Sequence, residues 1–182
     1  MISTLPLDIL VIEDTKLHQD SAKEQFQNKN LIDQLTTQKR PYLLDNADNY
    51  EQGKQKLLEM PKDSMYTIVL TDLMMPKGSR DTMSSTGMEY IFDQLPYGFP
   101  LALLAAKQNV PYIAIVTDIN HHDHPMSACI DNLSSAYWSD QSAQSSLYKI
   151  NNSIVGIFHA PFLENKAKDW MKVLNVLMHN SK

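Results

Sequence analysis

The sequence predicts an α/β fold with a parallel sheet buried on both faces and helices packed against each face. Three observations predict it. Four short apolar runs rich in β-branched residues recur along the chain: LDILVIED (7–14), YTIVLTDLMMP (66–76), PYIAIVTD (111–118) and SIVGIFHAP (153–161). Such runs suit strands covered on both sides. Segments long enough for helices separate them. The runs also finish on acids, a hydroxyl or a proline, at the carboxyl ends of strands, where open α/β sheets form their ligand crevice. Glu13, Asp14, Asp72 and Thr117 are therefore expected to converge there. Three carboxylates and a hydroxyl suit a hard divalent cation and a phosphoryl group.

In chain order, strand one covers about Asp8–Glu13. Thr15 offers an N-cap for a first helix through TKLHQDSAKEQFQNK, with Leu17, Ala22 and Phe26 at helical spacing. Arg40–Ala47 gives a short second strand, and Pro41 at its start suits a sheet edge. Asp48 can cap a second helix, NYEQGKQKLLEM. After Pro61 comes strand three, Tyr66–Thr71. Lys77–Thr86 is polar and reads as a loop. Gly87–Gln94 returns to helix, LPYGFP breaks it because two prolines and a glycine disfavour a helix interior, and Leu101–Gln108 resumes it. Strand four is Tyr112–Val116. Pro125 can open a short helix through Leu133, since proline is tolerated at a first helical position. Residues 134–152 are Ser-rich with scattered aromatics, and a structureless loop of that length is unusual, so part of it should be folded. Strand five is Ile154–His159. A closing amphipathic helix places Phe162, Trp170, Val173, Leu174, Leu177 and Met178 on one stripe.

The chain has 182 residues, enough for one domain with a sizeable core, and residues 1–182 read as a single domain with insertions near 77–86 and 134–152. A net charge of -5 argues against a broad basic nucleic-acid footprint. A single cysteine, Cys129, excludes an internal disulfide. No run approaches the roughly 20 apolar residues of a membrane span. No basic segment opens the chain as a signal peptide would. The expectation is a soluble cytoplasmic protein that binds neither nucleic acid nor membrane.

The ordered motifs resemble the receiver domain of bacterial two-component response regulators. ILVIEDT looks like the family's first strand with its acidic pair, Glu13–Asp14. IVLTDLMMP looks like the third strand with the phospho-acceptor, Asp72, and the following Met-Pro run. TGMEYI, IAIVTD with its hydroxyl Thr117, and IFHAPF, in which strand five ends before Pro161, look like later landmarks. The resemblance covers nearly the whole chain. It implies a flavodoxin-like, doubly wound five-stranded sheet in the order 2-1-3-4-5. Glu13, Asp14, Asp72 and the Met74 carbonyl would hold Mg²⁺, Asp72 would accept the phosphoryl group, and Thr117 would donate its hydroxyl to it. A sensor histidine kinase or phosphotransfer protein would supply the phosphoryl group. A downstream protein would read the surface of helix four, strand five and helix five. No independent substrate turnover is implied beyond self-phosphorylation and dephosphorylation.

The chain departs from the pattern in three places. The family's lysine before the strand-five proline is Ala160 here, and Lys77 or Arg80 is the candidate replacement cation. The aromatic three residues before that lysine is Ile157, with Phe158 off by one, so a hydroxyl-aromatic switch is not supported. Asn120–Pro125, NHHDHP, collects His121, His122 and His124 on the crevice rim. These can ligate Zn²⁺ and serve a metal-dependent hydrolase, or simply form a solvated loop. Two further readings therefore stand beside the phosphoacceptor: a pseudo-receiver interaction module indifferent to phosphorylation, and that hydrolase.

Overall fold

The structure, a computed structural model, describes residues 7–28, 43–59, 66–78, 93–119, 125–130, 133 and 147–179. The elements among them are β1 (Ile9–Ile12), α1 (Lys16–Gln27), β2 (Leu44–Ala47), α2 (Tyr50–Leu58), β3 (Ile68–Thr71), α3 (Gly98–Lys107), β4 (Tyr112–Thr117), α4 (Pro125–Ile130), β5 (Leu147–Ile150), β6 (Ser153–His159) and α5 (Trp170–His179). They form an α/β structure around one six-stranded sheet in the order β2-β1-β3-β4-β6-β5. The five strands from β2 to β6 run parallel. No helix among the described residues is long and apolar enough to cross a membrane.

Strand alternation sorts the core into two layers. Ile9, Val11, Ile68, Leu70, Ala114, Val116 and Phe158 face one side, where Ala22 and Phe26 of α1 and Trp170, Val173, Leu174 and Leu177 of α5 cover them. Leu10, Ile12, Val69, Ile113, Ile115, Val155 and Ile157 face the other, against Leu57 of α2 and Leu101, Ala102 and Ala105 of α3. Every β1 and β3 residue is fully buried, which explains why those runs carry no polar alternation. Burying each large aliphatic side chain stabilises the fold by roughly 1.5–3 kcal/mol. The sheet is thus fixed by its own sequence pattern.

Several boundaries differ from the sequence reading, each for a local reason. Helix α2 is capped by Asn49, not Asp48: the Asn49 side chain accepts from the Gln52 amide at 3.0 Å. Helix α3 begins at Gly98, inside the LPYGFP stretch expected to break it. Pro100 sits in the first turn, where the missing N–H has no helical partner to lose. The strand expected from residue 154 is β6, and it gains an antiparallel neighbour. Leu147–Ile150 pairs with it through a turn in which Asn151 takes φ 55°, a left-handed conformation asparagine tolerates. Phe162 is not on the closing helix. It lies in the loop before α5 and is 53% exposed. The helix expected over Gly87–Gln94 falls outside the described residues except for Asp93 and Gln94, which are not helical. The NHHDHP histidines His121, His122 and His124, and Arg80, also lie outside them.

Candidate metal and phosphoryl site

The site is built where β1, β3 and β4 end. Ile12 pairs with Thr71 in parallel register, so the next residues, Glu13 and Asp72, emerge side by side. Both continue the phase of Val11 and Leu70, which face the α1–α5 layer. Glu13 is fully buried and Asp72 is 5% exposed. Asp14 follows on β1, and one carboxylate oxygen from each of Glu13, Asp14 and Asp72 lies within 4.8 Å of the others. The acids expected to converge do converge. Thr117, also fully buried, ends β4, and its Oγ1 accepts from the Ile119 amide at 3.2 Å.

A fourth acid and a lysine, neither among the candidates expected from the sequence, complete the cluster. Asp118 continues the phase of Ala114 and Val116, so period-two counting past the strand end would have found it. Lys168 comes from the loop between β6 and α5. Its side chain is completely buried, with Nζ 2.7 Å from Glu13 Oε2, 2.9 Å from Asp72 Oδ1 and 4.0 Å from Asp118 Oδ1. It also lies 5.4 Å from the Trp170 ring centroid. A cation thus reaches the acids from eight positions beyond Ala160. The carbonyl of Lys77, the candidate cation in the loop after Asp72, accepts from the Glu51 amide at 2.9 Å, at the start of α2.

Helix α1 holds Lys168 by its main chain. Its carbonyl accepts from Ser21 Oγ at 2.9 Å and Gln25 Nε2 at 3.0 Å. Its amide donates to His18 Nδ1 at 3.3 Å, which leaves Nε2 to meet Asp118 Oδ2 at 3.4 Å. Trp170 Nε1 donates to the His18 carbonyl at 2.9 Å, and Gln25 Oε1 accepts from the Met171 amide at 2.8 Å. The floor of the site is equally tight. Gly98 donates to the Leu73 carbonyl at 2.9 Å. A Cβ at that position would overlap the Asp72 carbonyl oxygen and stand 2.9 Å from Leu73 Cα. Only glycine lets α3 start against the backbone that carries Asp72.

The electrostatics follow from this packing. Burial pushes the Asp72 carboxyl up to about 7, opposed by the Lys168 ammonium and assisted by the charge of Glu13. Burial alone would lower Lys168, but the charges of Asp72, Glu13 and Asp118 outweigh it and hold the amine above its ordinary value. The hydrogen bond from His18 depresses Asp118 to about 2, with the Lys168 charge acting the same way.

The donor set fits Mg²⁺. All three candidate side-chain ligands are hard carboxylate oxygens, and with Lys168 they sum to a charge that a dication balances. Glu13 is the most committed, since Oε1 accepts from the Thr15 amide at 2.9 Å and Oε2 from Lys168. Asp14 Oδ2 accepts from Gln94 Nε2 at 2.6 Å. Asp72 Oδ1 accepts from the Leu73 amide at 2.8 Å and from Lys168, whereas Oδ2 accepts from no described residue. Around Met74, the carbonyls of Leu73, Met75, Pro76 and Lys77 each accept a backbone N–H, and that of Met74 accepts none among the described residues.

No family model, curated protein or solved structure matches the chain.

Proposed function

We propose that the chain is a receiver-like phosphoacceptor domain with a flavodoxin-like fold, taking a phosphoryl group on Asp72 in the presence of Mg²⁺. The observation that carries this reading is the state of Asp72: its Oδ1 is fixed by Leu73 and Lys168 while its Oδ2 accepts from no described residue, beside two further carboxylates within 4.8 Å. A nucleophile needs one free oxygen and a fixed orientation.

Glu13, Asp14, Asp72 and the Met74 carbonyl would hold the ion, directly or through water. Bound there, Mg²⁺ offsets the repulsion between an anionic donor and an anionic nucleophile. Asp72 Oδ2 attacks phosphorus, and the bond from phosphorus to the donor's leaving group breaks with its electron pair leaving on that group. The carboxylate must be ionised to attack, and burial puts its titration at about 7. Lys168 stays on Oδ1, where its ammonium faces the charge that the acyl phosphate brings. By the resemblance, Thr117 at the end of β4 would offer its hydroxyl to a phosphoryl oxygen. The donor would be a sensor histidine kinase or phosphotransfer protein in the cytoplasm. The reader would be a protein using the α4–β6–α5 side, whose sheet edge is extended here by β5.

The test is labelling by acetyl phosphate with Mg²⁺, read by intact mass. One phosphoryl adduct is expected on the native chain and none on Asp72→Asn. A folded protein that stays unlabelled at saturating Mg²⁺ would sink the reading.

One observation favours the pseudo-receiver. Lys168 already bridges Glu13 and Asp72 and offsets one of their two charges, so the pair has a counter-ion without a metal. Under that reading Asp72→Asn leaves partner binding and cellular output unchanged.

A further inference from the structure

We propose that Lys168 couples the charge on Asp72 to the α1–α5 seam, with Ser21 and Gln25 as the positioning residues that make the coupling possible. Its use as a signal rests on Asp72 being the phosphoacceptor. The coupling itself does not.

Lys168 is two-sided. Its ammonium spans Glu13 and Asp72, and its main chain is bound at both the amide and the carbonyl by α1. The side chain has no exposed surface. A surface lysine relieved of its partner swings into water, but a fully buried ammonium in a close-packed interior has nowhere to swing. A change at Asp72 therefore reaches the Lys168 main chain. From there the contacts are explicit. Gln25 donates to the Lys168 carbonyl and accepts from the Met171 amide in the first turn of α5. Ser21 and Gln25 also bond each other at 2.7 Å, so the two act together. Trp170, the first residue of α5, donates to the His18 carbonyl of α1.

The strand route is poorly placed by comparison. Ile157 packs in the α2–α3 layer, and Phe158 is buried in the α1–α5 layer. Neither is an aromatic side chain that can move between the interior and the surface beside Thr117.

The coupling is tested by changing the charge of Asp72 rather than by phosphorylating it. The chain has two tryptophans, so in ¹⁵N-labelled protein a Trp138→Phe variant identifies the Trp170 indole resonance. Asp72→Asn is expected to shift that resonance in the otherwise native chain. In a Gln25→Ala background the shift from the same substitution should shrink by about twofold or more, the signature of an interaction energy between linked sites. In Lys168→Met it should vanish. Gln25→Ala keeps the ammonium and its partners, so it carries the test if Lys168→Met does not fold. A residue with a merely structural role would move Trp170 on its own and leave the response to Asp72 undiminished. An Asp72→Asn shift that is absent, or equally large in the Gln25→Ala background, overturns the proposal. Acetyl phosphate labelling in parallel separates the two ideas: unlabelled Asp72 with a coupled Trp170 counts against phosphoacceptance alone, and labelled Asp72 with an uncoupled Trp170 against Lys168 as the coupler.

Discussion

Glu13, Asp72 and Asp118 reach the site as residues that follow three adjacent strands, whereas Lys168 reaches it from a loop gripped by three side chains of α1. The acids need no special device. Parallel register and side-chain alternation deliver them to one end and one side of the sheet. The cation needs a clamp, because a buried ammonium has to be held where its partners are. The difference teaches that the acidic half of the site is a consequence of the sheet, while the basic half depends on contacts that could be lost without disturbing any strand.

The largest expected effect breaks that comparison from the basic side. Lys168→Met leaves buried carboxylates without their counter-ion and should cost about 3–5 kcal/mol in urea unfolding. Asp72→Asn should be far milder, within about 1 kcal/mol of the native chain at pH 8. The sign follows from the raised carboxyl of Asp72. The folded state prefers its protonated form, so its contribution is fullest below the unfolded value near 3.8 and declines as pH rises towards about 7. A neutral amide removes that penalty. If Lys168→Met costs as little as Asp72→Asn, the lysine does not anchor the site.

A second substitution tests the acidic side through the backbone. Alanine ordinarily favours a helix over glycine by up to about 1 kcal/mol. At Gly98 the order should invert, with Gly98→Ala destabilising by about 1–3 kcal/mol, because the new Cβ overlaps the Asp72 carbonyl oxygen. Chemical denaturation measures it. A neutral or stabilising result would mean that α3 can back away from the β3 terminus, and the placement of Asp72 would then be softer than the packing indicates.

The same division explains what the sequence made legible. Strand tips betray themselves: IVLTD and ILVIED announce both burial and the acids that follow, and their convergence needs only the winding of the sheet. Asp118 was within reach of the same counting, through Ala114 and Val116. Lys168 was not. In ENKAKDW it stands near another lysine and two acids, a composition typical of a solvated loop, and nothing local distinguishes it from Lys166. Its burial is set by Ser21 and Gln25, about 145 residues away on α1, and those two read only as polar positions of an amphipathic helix. The β5 strand was hidden for a related reason. Three of its residues are only partly buried and Lys149 is exposed, so LYKI lacks the apolar density of the central strands. Gly98 looks like a helix breaker in the sequence because its role lies in a contact with β3 rather than in the helix it starts.

The smallest effect sharpens the comparison among the acids themselves. Asp118 is held at about 2 chiefly by the His18 hydrogen bond, below its ordinary 3.8. A depressed carboxyl contributes stability that is present above the unfolded value and lost as pH falls through the folded one. Asp118 should thus add a decline between about pH 4 and pH 2. Its side chain is 40% exposed, so solvent screening should keep the loss below about 1 kcal/mol. Asp72 acts in the opposite sense and in a separate window, stability falling as pH rises from about 4 to about 7. The difference between native and Asp118→Asn unfolding free energies should therefore vary only at the acid end, and that between native and Asp72→Asn only above it. A pH profile in which both differences move in the same window would mean that the two carboxylates titrate as one unit around Lys168. The lysine would then be shared among all the acids it approaches, and the 4.0 Å contact with Asp118 would count as fully as the shorter two.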